Sequence, residues 1–122
     1  MLRRGALPAG KDSITPTMRN VSVGLNRERE YCQALNGESK TLKTAFTPRQ
    51  IDIFRGDDDY CGQLKTGKVS LTAQAEINLV KDADLVRNQY QVKYILEKGT
   101  SKNFLNALDR IGATYKIGAQ VP

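Results

Sequence analysis

The chain contains no histidine, and this absence removes much familiar chemistry. Without imidazole there is no Ser-His-Asp or Cys-His nucleophile system and no histidine metal site. The two cysteines, Cys32 and Cys61, stand far apart and are poor zinc ligands without partners. Each follows a tyrosine and precedes a leucine and a glycine, an echo too short to define a repeat. They are expected as free thiols acting as small hydrophobes. Gly5-Ala6-Leu7-Pro8-Ala9-Gly10-Lys11 matches a phosphate-binding loop as far as its lysine. Asp12 then stands where Ser or Thr must hold magnesium, and no strand precedes the run. Asp57-Asp58-Asp59 invites a calcium reading, but an EF-hand frame puts Lys68 where a bidentate glutamate is required. Asn20-Val21-Ser22 is a glycosylation sequon in letters only. No catalytic residues, cofactor or metal are assigned, and a non-enzymatic protein is expected.

Charge is the stronger signal. The net charge is +6, and it gathers at the two ends. Residues 1–20 carry Arg3, Arg4, Lys11 and Arg19 against Asp12. Residues 93–116 carry Lys93, Lys98, Lys102, Arg110 and Lys116 against Glu97 and Asp109. A field biased in this way favours polyanions. These nine basic residues are the candidate contacts to nucleic acid or to a partner. Tyr90, Tyr94 and Tyr115 are of the type that stacks on bases. Tyr90 and Tyr94, however, share a strand face with Val92 and Leu96, which assigns them to the core. Lys93 and Gln91 fall on the opposite, wet face. No RRM signature and no helix-turn-helix pair is present.

The elements that must position these groups follow from periodicity. Residues 1–18, with Pro8, Pro16, Gly5 and Gly10, read as an extended basic arm. Residues 19–122 read as a single α+β domain. Lys68–Val80 sets Val69, Leu71, Ala73, Ala75, Ile77 and Leu79 at every second position, so it is expected as a long half-buried strand. Residues 89–97 alternate through Tyr90, Val92, Tyr94 and Leu96, a second strand expected to pair antiparallel to the first. A helix over 101–111, with Phe104, Leu105, Leu108 and Ile111 on one face, would cover this sheet. Arg19–Leu25 alternates through Val21, Val23 and Leu25 as a short strand. A short helix over 27–36 would run from Asn26 to Gly37. Further strands are expected over Thr41–Phe46, Gln50–Arg55, Tyr60–Lys65 and at Ala113, Tyr115 and Ile117.

No apolar run approaches the ~20 residues that span a bilayer, and the first residues lack the apolar region of a secretory signal. An intracellular or virion location is expected over a secreted one. An antiparallel sheet, a covering helix and a basic arm occur together in small viral coat proteins and nucleoprotein subunits. By that architectural analogy the chain is expected to be a structural subunit of an assembly. Its partners would be copies of itself, other subunits, or nucleic acid. The alternatives are a small nucleic-acid-binding module, or a protein-interaction or inhibitor protein.

Overall fold

A computed structural model describes the backbone over residues 16–122 and side chains from Leu25 onward. Of the expected arm, residues 1–15 lie outside the described residues, and residues 16–18 open a helix. The elements run α1 (Pro16–Leu35), β1 (Glu38–Leu42), β2 (Arg49–Arg55), β3 (Tyr60–Lys65), α2 (Ala73–Arg87), β4 (Gln91–Leu96), α3 (Lys102–Ile111) and β5 (Thr114–Ile117). The five strands lie in sequence order in one sheet. β1, β2 and β3 form an antiparallel meander. β4 and β5 then join in parallel. The fold is α+β as expected, but the sheet is mixed and not purely antiparallel.

Two expectations about the middle of the chain are corrected. The long strand over 68–80 does not form. Only Val69 keeps an extended pairing, a single parallel bridge to Thr100. From Ala73 the chain is α2, capped by Thr72, whose hydroxyl accepts from the Ala75 N–H at 3.1 Å. Ala73, Gln74, Ala75, Glu76 and Leu79 are strong helix formers, and a Thr N-cap starts them. Burial follows the helical period through Leu79, Asp82 and Leu85, with Asp84 buried beside them. Ile77, on the expected strand face, is instead 51% exposed. The second correction is at 89–97: β4 forms there, but its neighbours are β3 and β5, both parallel to it. A helix now precedes the strand and another follows it, and helical crossovers are how parallel neighbours connect.

Near the start, the short strand Arg19–Leu25 and the short helix 27–36 are replaced by one helix, α1. Its first residue is Pro16, a position where the missing N–H costs nothing. Arg27, Glu28, Arg29 and Glu30 continue it without a break. Toward the end the reading holds. Ser101 caps α3 by accepting from the Phe104 N–H at 3.3 Å. Gly112 ends it at φ 83°, a left-handed conformation open to glycine.

Three layers result. The steps β3 to β4 and β4 to β5 go the same way across the sheet, so right-handed crossovers put both helices on one face. There Leu79, Leu85, Phe104 and Leu108 pack on Ile51, Phe54, Cys61, Val92, Tyr94 and Leu96. On the other face Tyr31 of α1 packs with Ile53, Tyr60, Leu64 and Ile95. Among the described residues no helix is long and apolar enough to cross a membrane.

Leu108 is fully buried under α3. Leu108→Ala should therefore lower unfolding free energy by about 2–5 kcal/mol in a urea titration. A loss below about 1 kcal/mol would show that α3 does not cover this sheet.

Candidate functional site

The site begins with an irregularity in β2. Glu38 of β1 opposes Phe54, while Lys40 opposes Ile51. Asp52 and Ile53 therefore face Ser39 together, which is a β-bulge. A bulge bends its strand and re-aims side chains, and bulges gather beside functional sites. Here its effect is visible in the core, where Ile51 and Phe54 join one cluster and Ile53 the other. It also opens the ladder to β3. Pairing between β2 and β3 runs from Arg55↔Tyr60 to Ile53↔Gly62 and stops.

Beyond Gly62 side chains bridge the fork between the two strands. The Asp52 carboxylate accepts from the Leu64 N–H at 2.9 Å. The Gln63 amide donates to the Gln50 carbonyl at 3.0 Å. Leu64 lies between Gln63 and Lys65, and alternate residues of a strand share a face. The Asp52 carboxylate thus reaches the backbone of β3 between Gln63 and Lys65, which share the face of Tyr94 and Leu96. Gln63 is buried, and Asp52 and Lys65 are half-buried. On the α1 side, the Cys32 thiol donates to the Asp52 carbonyl at 3.4 Å. Glu28 is half-buried and stands one turn before Cys32 on the same helix face.

A buried ionic network lies directly beneath. Arg49 pairs with Asp82 of α2 through Nε at 2.9 Å. The Tyr94 hydroxyl donates to Asp82 at 2.5 Å and accepts from Arg49 at 3.0 Å. Burial drives the Tyr94 phenol well above its ordinary pKa, so it stays a donor. Tyr94 is in register with Gln63, which connects network and fork.

A second tether holds α1. Arg27 pairs with Glu97, and the Tyr31 hydroxyl donates to the same carboxylate at 2.5 Å. Burial tends to raise the Glu97 pKa, but the hydrogen bonds from Arg27 and Tyr31 outweigh it and hold the carboxyl below its usual range. Glu97 is thereby committed to structure. Its N–H donates to the Lys65 carbonyl at 3.0 Å, so this tether abuts the fork. Cys32 and Cys61 are free thiols, and burial pushes the Cys61 thiol up to about 12, which leaves it unreactive.

The expected basic contacts scatter. Arg3, Arg4 and Lys11 lie outside the described residues, and Arg19 falls in α1 without a described side chain. Lys98 and Lys102 are exposed where β4 ends and α3 begins. The loop they flank is zipped to the loop after β3, with Val69 N–H donating to the Gly99 carbonyl at 3.3 Å and Ser101 N–H to the Val69 carbonyl at 3.2 Å. Lys65, the last residue of β3, and Lys68, in the loop that follows, were not singled out from the sequence. Lysines from both loops thus mark the carboxyl edge of the parallel strands. Arg110 sits in the last turn of α3, at its other end. Lys93 is half-buried in mid-β4 and Lys116 exposed on β5. No single patch unites all of these.

Asp52, Gln63 and Lys65 were also missed. The usable signal was an aspartate on one strand of a hairpin with a polar residue and a lysine two apart on the next. Comparison with protein-family models, curated proteins and solved structures finds no match for this chain.

If the network holds the fork, Arg49→Met strands a buried carboxylate and should cost about 3–5 kcal/mol in urea unfolding. Adding Asp82→Leu should restore most of that loss. A single-variant cost under about 1 kcal/mol would mean that the pair is not buried in solution.

Proposed function

We propose that the chain hydrolyses phosphodiester bonds in nucleic acid, using a divalent cation at the fork between β2 and β3. The observation that carries the reading is that Asp52 reaches β3 between Gln63 and Lys65, accepting from the Leu64 N–H where backbone pairing of β2 with β3 has stopped. A second support is position. In open sheets with parallel strands, ligands bind outside the carboxyl ends of those strands, and Lys65 is the last residue of β3. A third is the +6 charge, which concentrates polyanions near the protein.

The residues suit a hard cation. Magnesium is bound through one or two carboxylates together with substrate phosphates, not by a full protein cage. Asp52 supplies a carboxylate and Gln63 an amide oxygen. Among the described residues no three His, Cys, Asp or Glu side chains gather, and a magnesium site of this kind needs no such cage. When bound, the cation polarises a phosphoryl oxygen and acidifies water.

The protein's own groups do the rest. Asp52 is fixed by the Leu64 N–H, and Gln63 by the Gln50 carbonyl, so neither must reorganise. The Lys65 ammonium offsets negative charge growing on the phosphoryl oxygens, where fixed charges are most effective. Water adds to phosphorus, one ester P–O bond breaks, and the departing alkoxide takes a proton. No oxidant or other co-reactant enters.

This reading departs from the non-enzymatic expectation, which rested on finding no catalytic constellation in the letters. The assembly-subunit reading leaned on the basic arm, and the described residues add no support for it. A nucleic-acid-binding module that does not cut remains the second reading, favoured by Lys65, Lys68, Lys98 and Lys102 along one edge.

The test is cleavage of labelled single- and double-stranded DNA and RNA with magnesium or manganese. Wild-type protein should cut at least one of them, and EDTA should stop it. Asp52→Asn and Lys65→Met should each slow cutting by on the order of 100-fold or more while keeping the circular-dichroism spectrum. No cutting of any substrate by wild type sinks the proposal. Binding without cutting would select the second reading.

A further inference from the structure

The carboxyl edge also holds a cavity of about 300 Å³, bordered by Lys65 and Lys68 of the β3 end and by Ser70, Gln74, Asn78 and Tyr94. We propose that it receives one unpaired nucleobase of the strand being cut, which makes single-stranded or locally opened nucleic acid the substrate. The inference rests on the hydrolase reading for the word substrate, but the binding it describes does not need cleavage.

Three features carry it. The first is an amide pair. Gln74 and Asn78 lie one turn apart on α2, and the Gln74 amide donates to the Asn78 side-chain oxygen at 3.3 Å. Each amide has a donor end and an acceptor end. Whichever way the two are turned, their mutual bond leaves one donor and one acceptor for a ligand. Every nucleobase offers a donor beside an acceptor on its Watson–Crick edge. In a duplex that edge is consumed by pairing, whereas in a single strand it is open to side chains.

The second feature is the floor. Tyr94 and Phe104 border the cavity and meet edge to face with centroids 5.5 Å apart. They close the bottom of the cavity, and the partly buried Val69 and Ala75 supply its apolar wall. Both rings are buried in the core, so the floor is rigid. A cavity of this size lies at the lower end of those that take small ligands, which suits one base and excludes a base pair.

The third is continuity with the fork. Lys65 borders the cavity and belongs to the fork. A nucleotide with its base between Gln74, Asn78 and the aromatic floor would carry its phosphate at the mouth, beside Lys65 and Lys68. A duplex could fill the cavity only by flipping a base from the stack, which costs unstacking.

The experiment measures binding by fluorescence anisotropy, with wild-type protein and calcium replacing magnesium. The probes are a short fluorescein-labelled single strand, the same strand made abasic throughout, and its blunt duplex. Wild type should bind the intact single strand on the order of 10-fold tighter than either of the others, the scale of one or two net hydrogen bonds. The double variant Gln74→Ala/Asn78→Ala should bind the intact strand as weakly as the abasic one, with abasic binding unchanged. Asn78→Leu, which fills the cavity with an apolar group, should do the same. Gln74 is exposed and Asn78 half-buried, so melting temperatures should stay near wild type and expose any misfolding. The inference is overturned if wild type does not distinguish intact from abasic strands, or if the variants keep that distinction. Base discrimination without cutting would remove the hydrolase reading and leave the pocket standing. Cutting without base discrimination would do the reverse.

Discussion

The buried triangle of Arg49, Asp82 and Tyr94 is the constraint on which the rest of the structure depends. It joins the first residue of β2, the middle of α2 and the centre of β4. Burying a guanidinium and a carboxylate is costly unless each is paired and hydrogen-bonded. Here the pair is closed on both sides and a phenol completes it. Among the described residues no buried side-chain nitrogen or oxygen is left without a partner. Such a network fixes geometry more than it adds stability. It sets where α2 crosses the sheet and where β2 begins.

With the start of β2 held there and β3 held in register with β4, the bulge at Asp52 and Ile53 has a definite consequence. The two strands cannot remain paired to their ends, and the gap is filled by side chains. Asp52 and Gln63 take over hydrogen bonds that backbone would otherwise make. That places polar, oriented groups at the carboxyl edge, where the loops after β3 and β4 are zipped together. Lysines on those loops and the N-termini of α2 and α3 give the edge a positive character. Bulge, network and crossover topology therefore converge on one location, and the proposed chemistry follows from that convergence.

Much of the fold was legible in the letters. β4 and α3 were readable because each has a clean period and, for α3, a serine cap and a glycine stop at the right spacing. β2 and β3 were readable because Gly56 to Asp59 separates them. α2 was not, because six apolar residues between Val69 and Leu79 fall on alternate positions by coincidence. Propensity, through alanines, Gln74 and Glu76 behind a threonine cap, pointed the other way and proved the better guide. Once α2 was read as strand, the direction of β4 had to be misread as well. The site was harder to see. A bulge leaves no mark in residue types, and Arg49 is 33 residues from Asp82. Basic residues can be counted without a fold, but only Lys98 and Lys102 among the nine reached the edge that matters in the described residues. Arg110 sits at the other end of α3, and Lys116, although near the carboxyl end of β5, shares the α1 face of Ile95.

The account's central claim is that the fork is built to share a divalent cation with a phosphodiester. The most direct measurement is anomalous diffraction from crystals grown with manganese and a non-cleavable phosphorothioate strand. The account predicts a manganese peak at about 2.0–2.2 Å from a carboxylate oxygen of Asp52, with a phosphate oxygen of the strand on the same ion and Lys65 beside it. A well-ordered strand whose phosphates lie away from Asp52, with no manganese at the fork, would contradict it.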